Sequence, residues 1–492
     1  MPLPDSPPDP IAPATATPPT GPAWAGWADL VAVALAACAL FVVVAGRGFI
    51  VGPWQFVLPS TTFFVFLSAA TLGIRHAASP TPSVAATVRT WRARLAARPH
   101  ASAAVRAFLV TRPLVFFVGY FAVVTFGFPK TAGDIFSSDP LGNLPARFDA
   151  GWYGGIALDG YQWDHQLGRQ KNIAFFPALP MLMRPVGAVI GMRYESLPRD
   201  KRMLRALWAG VFVSLAAFLC ALVYVSRLGD LLIDRQAGAL APLLLAAYPF
   251  AVFFNAPYTE ALFLLGSAGA FYHFHRGQLV YASLFGLLAG FSRPNGCFVS
   301  IPLAILAVQP ALTTLQAGAA ASASTWLRPL LTRLLAASMP GVAMLLFTAY
   351  LYRLTGIWLV WARVHEAWGR KWGTGPLEQG WEWLSTEGVM PVFQGVPYDT
   401  LNTLAAVFAL VLVWPVFRKL GAAYAVFVLV NLVPPIFAGG ALSMGRVTST
   451  VFPIFLALAA LVPGRAVPGW VTTFALLQGF VATIFFTWRE LF

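Results

Sequence analysis

Charge is scarce in this 492-residue chain: only 11% of its residues are Asp, Glu, Lys or Arg, and just 19 are acids. A soluble domain carries about a quarter of its residues as charges, so an ordinary soluble protein is excluded. Cysteine is equally thin. Cys38, Cys220 and Cys297 lie inside apolar stretches without metal-ligand spacing, which argues against a disulfide framework or a zinc site. No P-loop, GxSxG or HExxH sequence occurs, which speaks against ATP-driven transport, serine hydrolysis and zinc proteolysis in their usual forms. A basic leader is also missing. The first Lys or Arg is Arg47, so the apolar stretch before it reads as a membrane helix and not as a cleaved signal.

What the chain has in quantity is apolar sequence, at 58% hydrophobic residues. Runs near the roughly 20 residues needed to cross a bilayer recur along most of its length. The expected fold is all-α: a polytopic integral membrane protein with about 11–13 transmembrane helices. Spans are predicted at 28–46, 53–74, 107–127, 204–226, 236–255, 260–276, 278–292, 297–309, 333–354, 400–417, 421–441, 449–463 and 469–488. The shorter ones suit broken helices lining a cavity. Residues 1–26, with nine prolines, read as a disordered tail; residues 27–106 as a two-helix appendage with a basic loop; and residues 107–492 as one membrane domain. The net charge of +14 has no compact basic domain to carry it, so membrane lipid is an expected partner and nucleic acid is not. The Ala, Arg and Pro content suggests a GC-rich bacterial genome, hence a bacterial plasma membrane.

Orientation rests on residues 75–106, which hold six arginines and no acid and are therefore expected on the cytoplasmic side. The next span then delivers residues 128–172 to the outer face. Two topologies follow. If "FFPALPMLMRPVGAVIG" (175–191) crosses the membrane, the basic run 193–205 is cytoplasmic. If that segment lies on the surface, "RFDAGWY", "NAPYTEALF", "SRPNG", "HEAWGRKWG" and "SMGR" all share the outer face. The second is preferred, because an active site needs its polar motifs on one surface.

The polar residues inside these motifs are the candidates for chemistry. Asp149 sits among Phe148, Trp152 and Tyr153 just after a span, where a partly desolvated carboxylate can serve as a general base; its plainer reading is a helix cap. Asp159 and Asp164 read as turn residues. Glu260 is the only carboxylate between Asp234 and Glu366, and an ionisable group at a span edge is a functional candidate, against the plain reading of a helix-start glutamate. Arg293 and Arg446 sit between apolar segments, where a guanidinium suits a phosphate held by two hydrogen bonds or else snorkels at a span boundary. Residues 356–398 hold six of the 17 tryptophans, with Arg363, His365, Glu366, Arg370 and Lys371 interleaved. These fit an interfacial aromatic belt or a sugar-stacking surface, with His365 a possible acid or base. No residue pattern requires a metal or another cofactor, and none forbids a divalent ion.

The ordered series "RFDAGWYGGIALDGY", "NIAFFPALPMLMRP", "AAYPFAVFFNAPYTEALF", "GLLAGFSRPNG" and "LSMGRVTSTVFPIF" resembles the family of the second GPI mannosyltransferase, whose bacterial relatives belong to the GT-C glycosyltransferase superfamily. The resemblance covers roughly residues 107–460. Where the family has Trp-Asp in its first motif, this chain has Phe148-Asp149, keeping the carboxylate and losing an indole N–H. The resemblance implies a GT-C-like fold with a catalytic first outer loop. Asp149 would then be the base that deprotonates the acceptor hydroxyl, and Phe175, Phe176 and Pro177 would lie in a juxtamembrane helix of that loop.

The implied activity is transfer of a sugar, most simply mannose, from a polyprenyl-phosphate donor to a lipid-linked or cell-envelope acceptor at the outer face, by direct displacement with inversion. In that scheme Arg293 and Arg446, with Asn295, hold the donor phosphate. Glu260 positions the acceptor or an arginine. Trp152, Tyr153, Asn172, Tyr258 and His365 contact substrate. Two other classes stay open: a polytopic transporter or lipid flippase, which should show inverted repeats that are not visible here, and a non-catalytic subunit of an envelope-assembly complex.

Overall fold

The computed structural model of the chain describes residues 22–45, 48–51, 54–57, 59–80, 84–133, 135–316, 323–368 and 397–489. Most of the Pro-rich tail, up to residue 21, and the part of the Trp-rich stretch that includes Arg370 and Lys371 lie outside the described residues. The described residues fall into two compact units, one within 1–47 and 57–97, the other within 48–56 and 98–492. One short hairpin, β1 (Gly48–Val51) with β2 (Trp54–Val57), is the only strand pairing among them.

The first unit is built on α1 (Ala23–Ala45), α2 (Thr61–Ala78) and α3 (Val84–Ala96). Ser60 caps α2 by accepting the Phe63 N–H at 3.2 Å. Asp29 on α1 and Arg75 on α2 are both buried and meet at 2.9 Å, and Arg75 also donates to the Ser79 carbonyl at 3.1 Å. In an apolar setting neither charge is tolerated without the other, so the pair fixes how α1 and α2 align.

The second unit is a helical bundle. Six stretches among the described residues are long and apolar enough to cross a membrane: Pro99–Phe126, Arg199–Leu232, Pro294–Thr313, Trp326–Thr355, Thr400–Leu420 and Gly464–Phe486. A seventh is broken: α8 (Arg235–Ala247) turns by 80° into a 3-10 helix, Pro249–Asn255. The expected 11–13 spans therefore divide into full-length helices and shorter apolar pieces. Among the latter, α9 (Glu260–His275) has 16 residues, α10 (Leu279–Ser292) has 14, and the helix Phe452–Leu461 has only 10. Ten residues rise about 15 Å, half of a hydrocarbon core. α9 and Phe452–Leu461 are buried against other helices along nearly their whole length, whereas α10 buries a stripe of small residues and exposes Val280, Tyr281 and Leu284.

α4 (Pro99–Phe126) and α7 (Arg199–Leu232) are full-length. Between them lie α5 (Ala150–Asp159) and the 12-residue α6 (Ala178–Val189), too short to span. Among the described residues, none of the candidate spans lies between Phe126 and Arg199. α9, α10 and α12 (Ala323–Thr355, the helix after α11, Ser300–Gln316) pack through small residues. A Cβ on Gly266 would come within 2.6 Å of the Ala289 nitrogen, so the backbones touch there.

The break after α8 exposes backbone carbonyls inside the bundle, and Arg112 on α4 answers them. Its guanidinium, fully buried, donates to the Ala251 carbonyl at 2.6 Å, the Asn255 side chain at 2.7 Å and the Ala246 carbonyl at 2.5 Å. Gln478 adds donors to the Ala246 and Tyr248 carbonyls at 3.0 and 2.7 Å. A broken helix persists in an apolar interior only when its freed groups are met in this way. The fixed bend delivers Tyr258 and Glu260 to the site described next.

Candidate active site

Asp149 stands immediately before α5, yet its side chain makes no capping hydrogen bond to that helix. It points instead to Arg446, whose Nη1 lies 2.6 Å from its Oδ2. Phe148, just before it, holds a left-handed backbone with φ 47°, a conformation that a bulky residue adopts only when its surroundings impose it. Here the surroundings are visible. The Phe148 ring lies 4.7 Å from Trp488 and 5.8 Å from Phe485. Arg147 is fully buried and donates to the Phe486 carbonyl at 2.7 Å and to the Asn143 and Ala146 carbonyls at 2.7 and 2.6 Å. The end of the last helix (Val467–Phe486) thus anchors the loop that carries Asp149.

Tyr258 completes this anchoring. Its hydroxyl accepts the Asp149 N–H at 3.1 Å and donates to the Arg147 carbonyl at 3.0 Å. Its ring lies 4.5 Å beneath the Arg446 guanidinium, a cation–π contact that Phe253 reinforces at 5.7 Å. Tyr258 therefore holds the loop and the cation together.

Arg446 sits on a five-residue helix, Met444–Thr448, entered through Ser443 at φ 61°. The helix packs so closely that a Cβ on Gly445 would collide with the Phe250 ring, and the Gly445 N–H is held by the Asn402 side chain at 2.7 Å. From this position Arg446 bridges two carboxylates, Asp149 through Nη1 and Glu260 through Nε. Burial disfavours its charge, but Glu260 and then Asp149 outweigh that and hold its proton more firmly than water would.

Glu260 occupies the first position of α9 with its side chain fully buried. It is thus the helix-start glutamate of the plainer reading, but one that is buried and paired with arginine as well as placed at the helix N-terminus. Arg293 reaches the same carboxylate, its Nη1 3.5 Å from Glu260 Oε1, and lies 5.7 Å over the Phe263 ring. Asp149, Glu260, Arg293 and Arg446, from four separate elements, thus form one chain of alternating charge.

Tyr153 and Trp152 border this centre. The Tyr153 hydroxyl is buried and its pKa is pushed up to about 12, mainly by desolvation, so it stays protonated. Trp152 stacks on Phe175 at 5.8 Å, and Trp368 meets both rings edge-on at 5.9 and 5.7 Å. His365 lies 6.1 Å from the Trp368 ring, with Nδ1 2.5 Å from the Trp361 carbonyl. The described part of the Trp-rich stretch therefore joins the aromatic cluster of Trp152 and Phe175.

The two asparagines lie differently. Asn172 clasps its own loop, donating to the Gly160 carbonyl at 3.0 Å and accepting the Gln162 N–H at 3.1 Å. Asn295 donates to Asn431 at 2.7 Å, and Asn431 donates in turn to the Phe427 carbonyl. Asp159 pairs with Arg199 at 2.6 Å, and Asp164 with Lys171; both pairs tie down the segment between α4 and α7. Sequence reasoning missed Arg147 and the Phe485–Trp488 corner. An arginine directly before the Phe148-Asp149 pair was a visible signal, but its partner lies 339 positions away.

The fold and site define a polytopic α-helical membrane protein with an acid–arginine centre buried where broken and short helices meet. Residues 128–357 match the model of the mannosyltransferase (PIG-V) family. No curated protein matches the chain. Two solved structures share a loose likeness. One is an archaeal oligosaccharyltransferase, AglB from Archaeoglobus fulgidus, in complex with an inhibitory peptide and a dolichol-phosphate. It has a TM-score of 0.35 at 13% identity, over 77% of this chain and 56% of that one. The other is the Archaeoglobus fulgidus oligosaccharyltransferase in complex with Zn and sulfate, with a TM-score of 0.33 at 14% identity, over 76% and 53%. The chain spans about half the length of these two structures.

Proposed function

We propose that the chain is a membrane glycosyltransferase that moves a hexose, mannose in the simplest case, from a polyprenyl-phosphate carrier to a hydroxyl of a glycan or glycolipid acceptor. The observation that carries this reading is the Asp149–Arg446–Glu260 bridge, within a chain whose residues 128–357 match a mannosyltransferase family. A base and a cation side by side are what the reaction needs. The acceptor oxygen attacks the anomeric carbon from the face opposite the phosphate, and Asp149 takes its proton. The carbon–oxygen bond to the phosphate breaks, the phosphate leaves with the electron pair, and the configuration inverts. Arg446 stabilises the charge gathering on the departing phosphate. The sugar–phosphate bond itself drives the step, so no nucleotide is consumed.

Arg446 Nη1 is already engaged by Asp149. An arriving donor phosphate competes for the same nitrogen and releases Asp149 when the sugar is in place, while Glu260 keeps its hold on Nε. The site faces outward in this reading, which the six arginines of residues 75–106 support through the positive-inside rule. The bacterial plasma membrane is the proposed location.

The reading is tested by transfer with purified full-length protein in lipid, from radiolabelled polyprenyl-phospho-mannose to a native membrane extract, comparing wild type with Asp149→Asn. Labelled product from wild type alone supports the reading. Equal product from both removes Asp149 as the base and shifts that role to Glu260. No product with any polyprenyl-phosphate sugar overturns the reading in favour of a transporter or a non-catalytic subunit.

A further inference from the structure

Resting on that reading, the geometry points to Glu260 and Arg293 as a seat for one sugar hydroxyl, which makes this pair the determinant of which hexose is accepted. The Glu260 side chain is fully buried, and its two oxygens are unequal. Oε1 is held by Arg446 and approached by Arg293; Oε2 is buried with no hydrogen-bond partner among the described residues. Arg293 Nη1 is also buried without a hydrogen-bond partner among the described residues, its 3.5 Å approach to Glu260 being an ion pair only. A buried acceptor and a buried donor thus stand on adjacent groups, each unmet. Leaving such atoms unsatisfied is unfavourable, and they are the groups a ligand can satisfy.

The chemistry of the ligand follows from the two polarities. A hydroxyl donates its proton to Oε2 and accepts from Nη1, meeting both. A phosphate only accepts: it would leave Oε2 unmet and set a second negative charge against Glu260. An ammonium only donates, and it would face Arg293. The seat therefore selects a neutral group that is donor and acceptor at once, which a sugar hydroxyl supplies. The surroundings agree. Tyr153, protonated and buried, interacts electrostatically with Glu260, Asp149 and Arg446, so the seat adjoins the reacting centre. The two arginines then hold different parts of the donor. Arg446, beside Asp149, takes the phosphate, and Arg293, beyond Glu260, takes the sugar. Rejection of a sugar lacking that hydroxyl should be strong, because it returns both buried atoms to the unpaired state.

The experiment is equilibrium binding to the full-length protein in lipid nanodiscs. The ligands are bare polyprenyl phosphate, polyprenyl-phospho-mannose, its singly deoxygenated forms, and methyl mannoside as an acceptor mimic. Wild type is compared with Glu260→Gln and with Arg293→Lys, which keeps the charge but replaces the guanidinium fork by a single ammonium. The expected result is that mannose adds at least tenfold to the affinity of the bare lipid and that one deoxy position alone abolishes the gain. Both variants should lose that gain, read within each variant as the ratio of mannosylated to bare lipid, so that any change in phosphate binding through Arg446 cancels. If the variants instead lose methyl mannoside and keep the donor gain, the seat stands and serves the acceptor sugar. If both variants keep both gains, or every deoxy form is weakened equally, the seat is wrong and the two atoms hold buried water. Transfer activity is scored separately. A wild type that transfers sugar while the variants keep the gain sinks the seat and not the reaction; a variant-sensitive gain without transfer from any donor does the reverse.

Discussion

Arg446 Nη1 stands 2.6 Å from Asp149 Oδ2 across 297 positions of sequence, and the same guanidinium holds the buried Glu260 through Nε. One cation thus has two roles, keeping a carboxylate tolerable inside the bundle and restraining the group proposed as the base. Replacing it separates them. Arg446→Gln leaves Glu260 buried with only the long Arg293 contact, and loss of one member of a buried ion pair lowers stability by about 3–5 kcal/mol. The expected outcome is a clear fall in melting temperature together with loss of transfer. Arg446→Lys keeps the charge but cannot reach both acids with a planar fork, so it should recover much of the stability and little of the activity. A thermal melt and a transfer assay on the same preparations check this; equal melting of Gln and wild type would contradict it.

Asp149→Asn should behave in the opposite way. Arg446 retains Glu260, and the backbone N–H of residue 149 still reaches the Tyr258 hydroxyl, so the fold has little to lose. Removing a general base lowers kcat by about 10²–10⁴. Melting close to wild type with turnover reduced on that scale is the expected pair of results. A large melting shift would mean that the carboxylate is mainly a structural partner of Arg446.

Tyr258→Phe probes the anchoring of the loop. The substitution keeps the ring under Arg446 but leaves the Asp149 N–H without its acceptor and the Arg147 carbonyl without its donor. A lost buried hydrogen bond of this kind lowers stability by about 1–3 kcal/mol. Because Asp149 then sits loosely, kcat should fall while KM for the donor changes little, which steady-state kinetics at several donor concentrations would show.

How much of this was legible in the sequence follows from the kind of contact involved. Asp149, Glu260, Arg293 and Arg446 stood out because a charge inside an apolar stretch is unfavourable unless it is used, and all four meet in one centre. The loop clasp of Asn172 and the Asn295–Asn431 pair were not legible, since an uncharged amide near the same motifs serves a turn or a helix contact equally well. Helix lengths were blurred for a related reason. Segments such as Phe452–Leu461 are apolar enough to pass for spans, and hydropathy does not say whether lipid or protein surrounds them. The anchoring by Arg147 and Trp488 depends on the two ends of the long domain meeting, which no local pattern encodes.

Gly445→Ala probes the site from behind. The residue sits one position before Arg446, and its missing side chain leaves room for the Phe250 ring, which an added Cβ would strike. Both residues are buried, so neither can step aside into solvent. Overpacking of this kind costs about 1–3 kcal/mol, and relief by backing the Met444–Thr448 helix away would draw Arg446 off both carboxylates. Gly445→Ala should therefore lose stability and transfer together. Phe250→Leu alone leaves a cavity and should lose some stability with the arginine still in place. The double variant distinguishes the cause: if the clash is what matters, a smaller side chain at 250 accommodates the new methyl, and the two changes combine to a smaller loss than their sum. A double-mutant cycle on melting and on kcat measures that coupling. Additive losses would mean that Gly445 is needed for its backbone and not for the space it leaves.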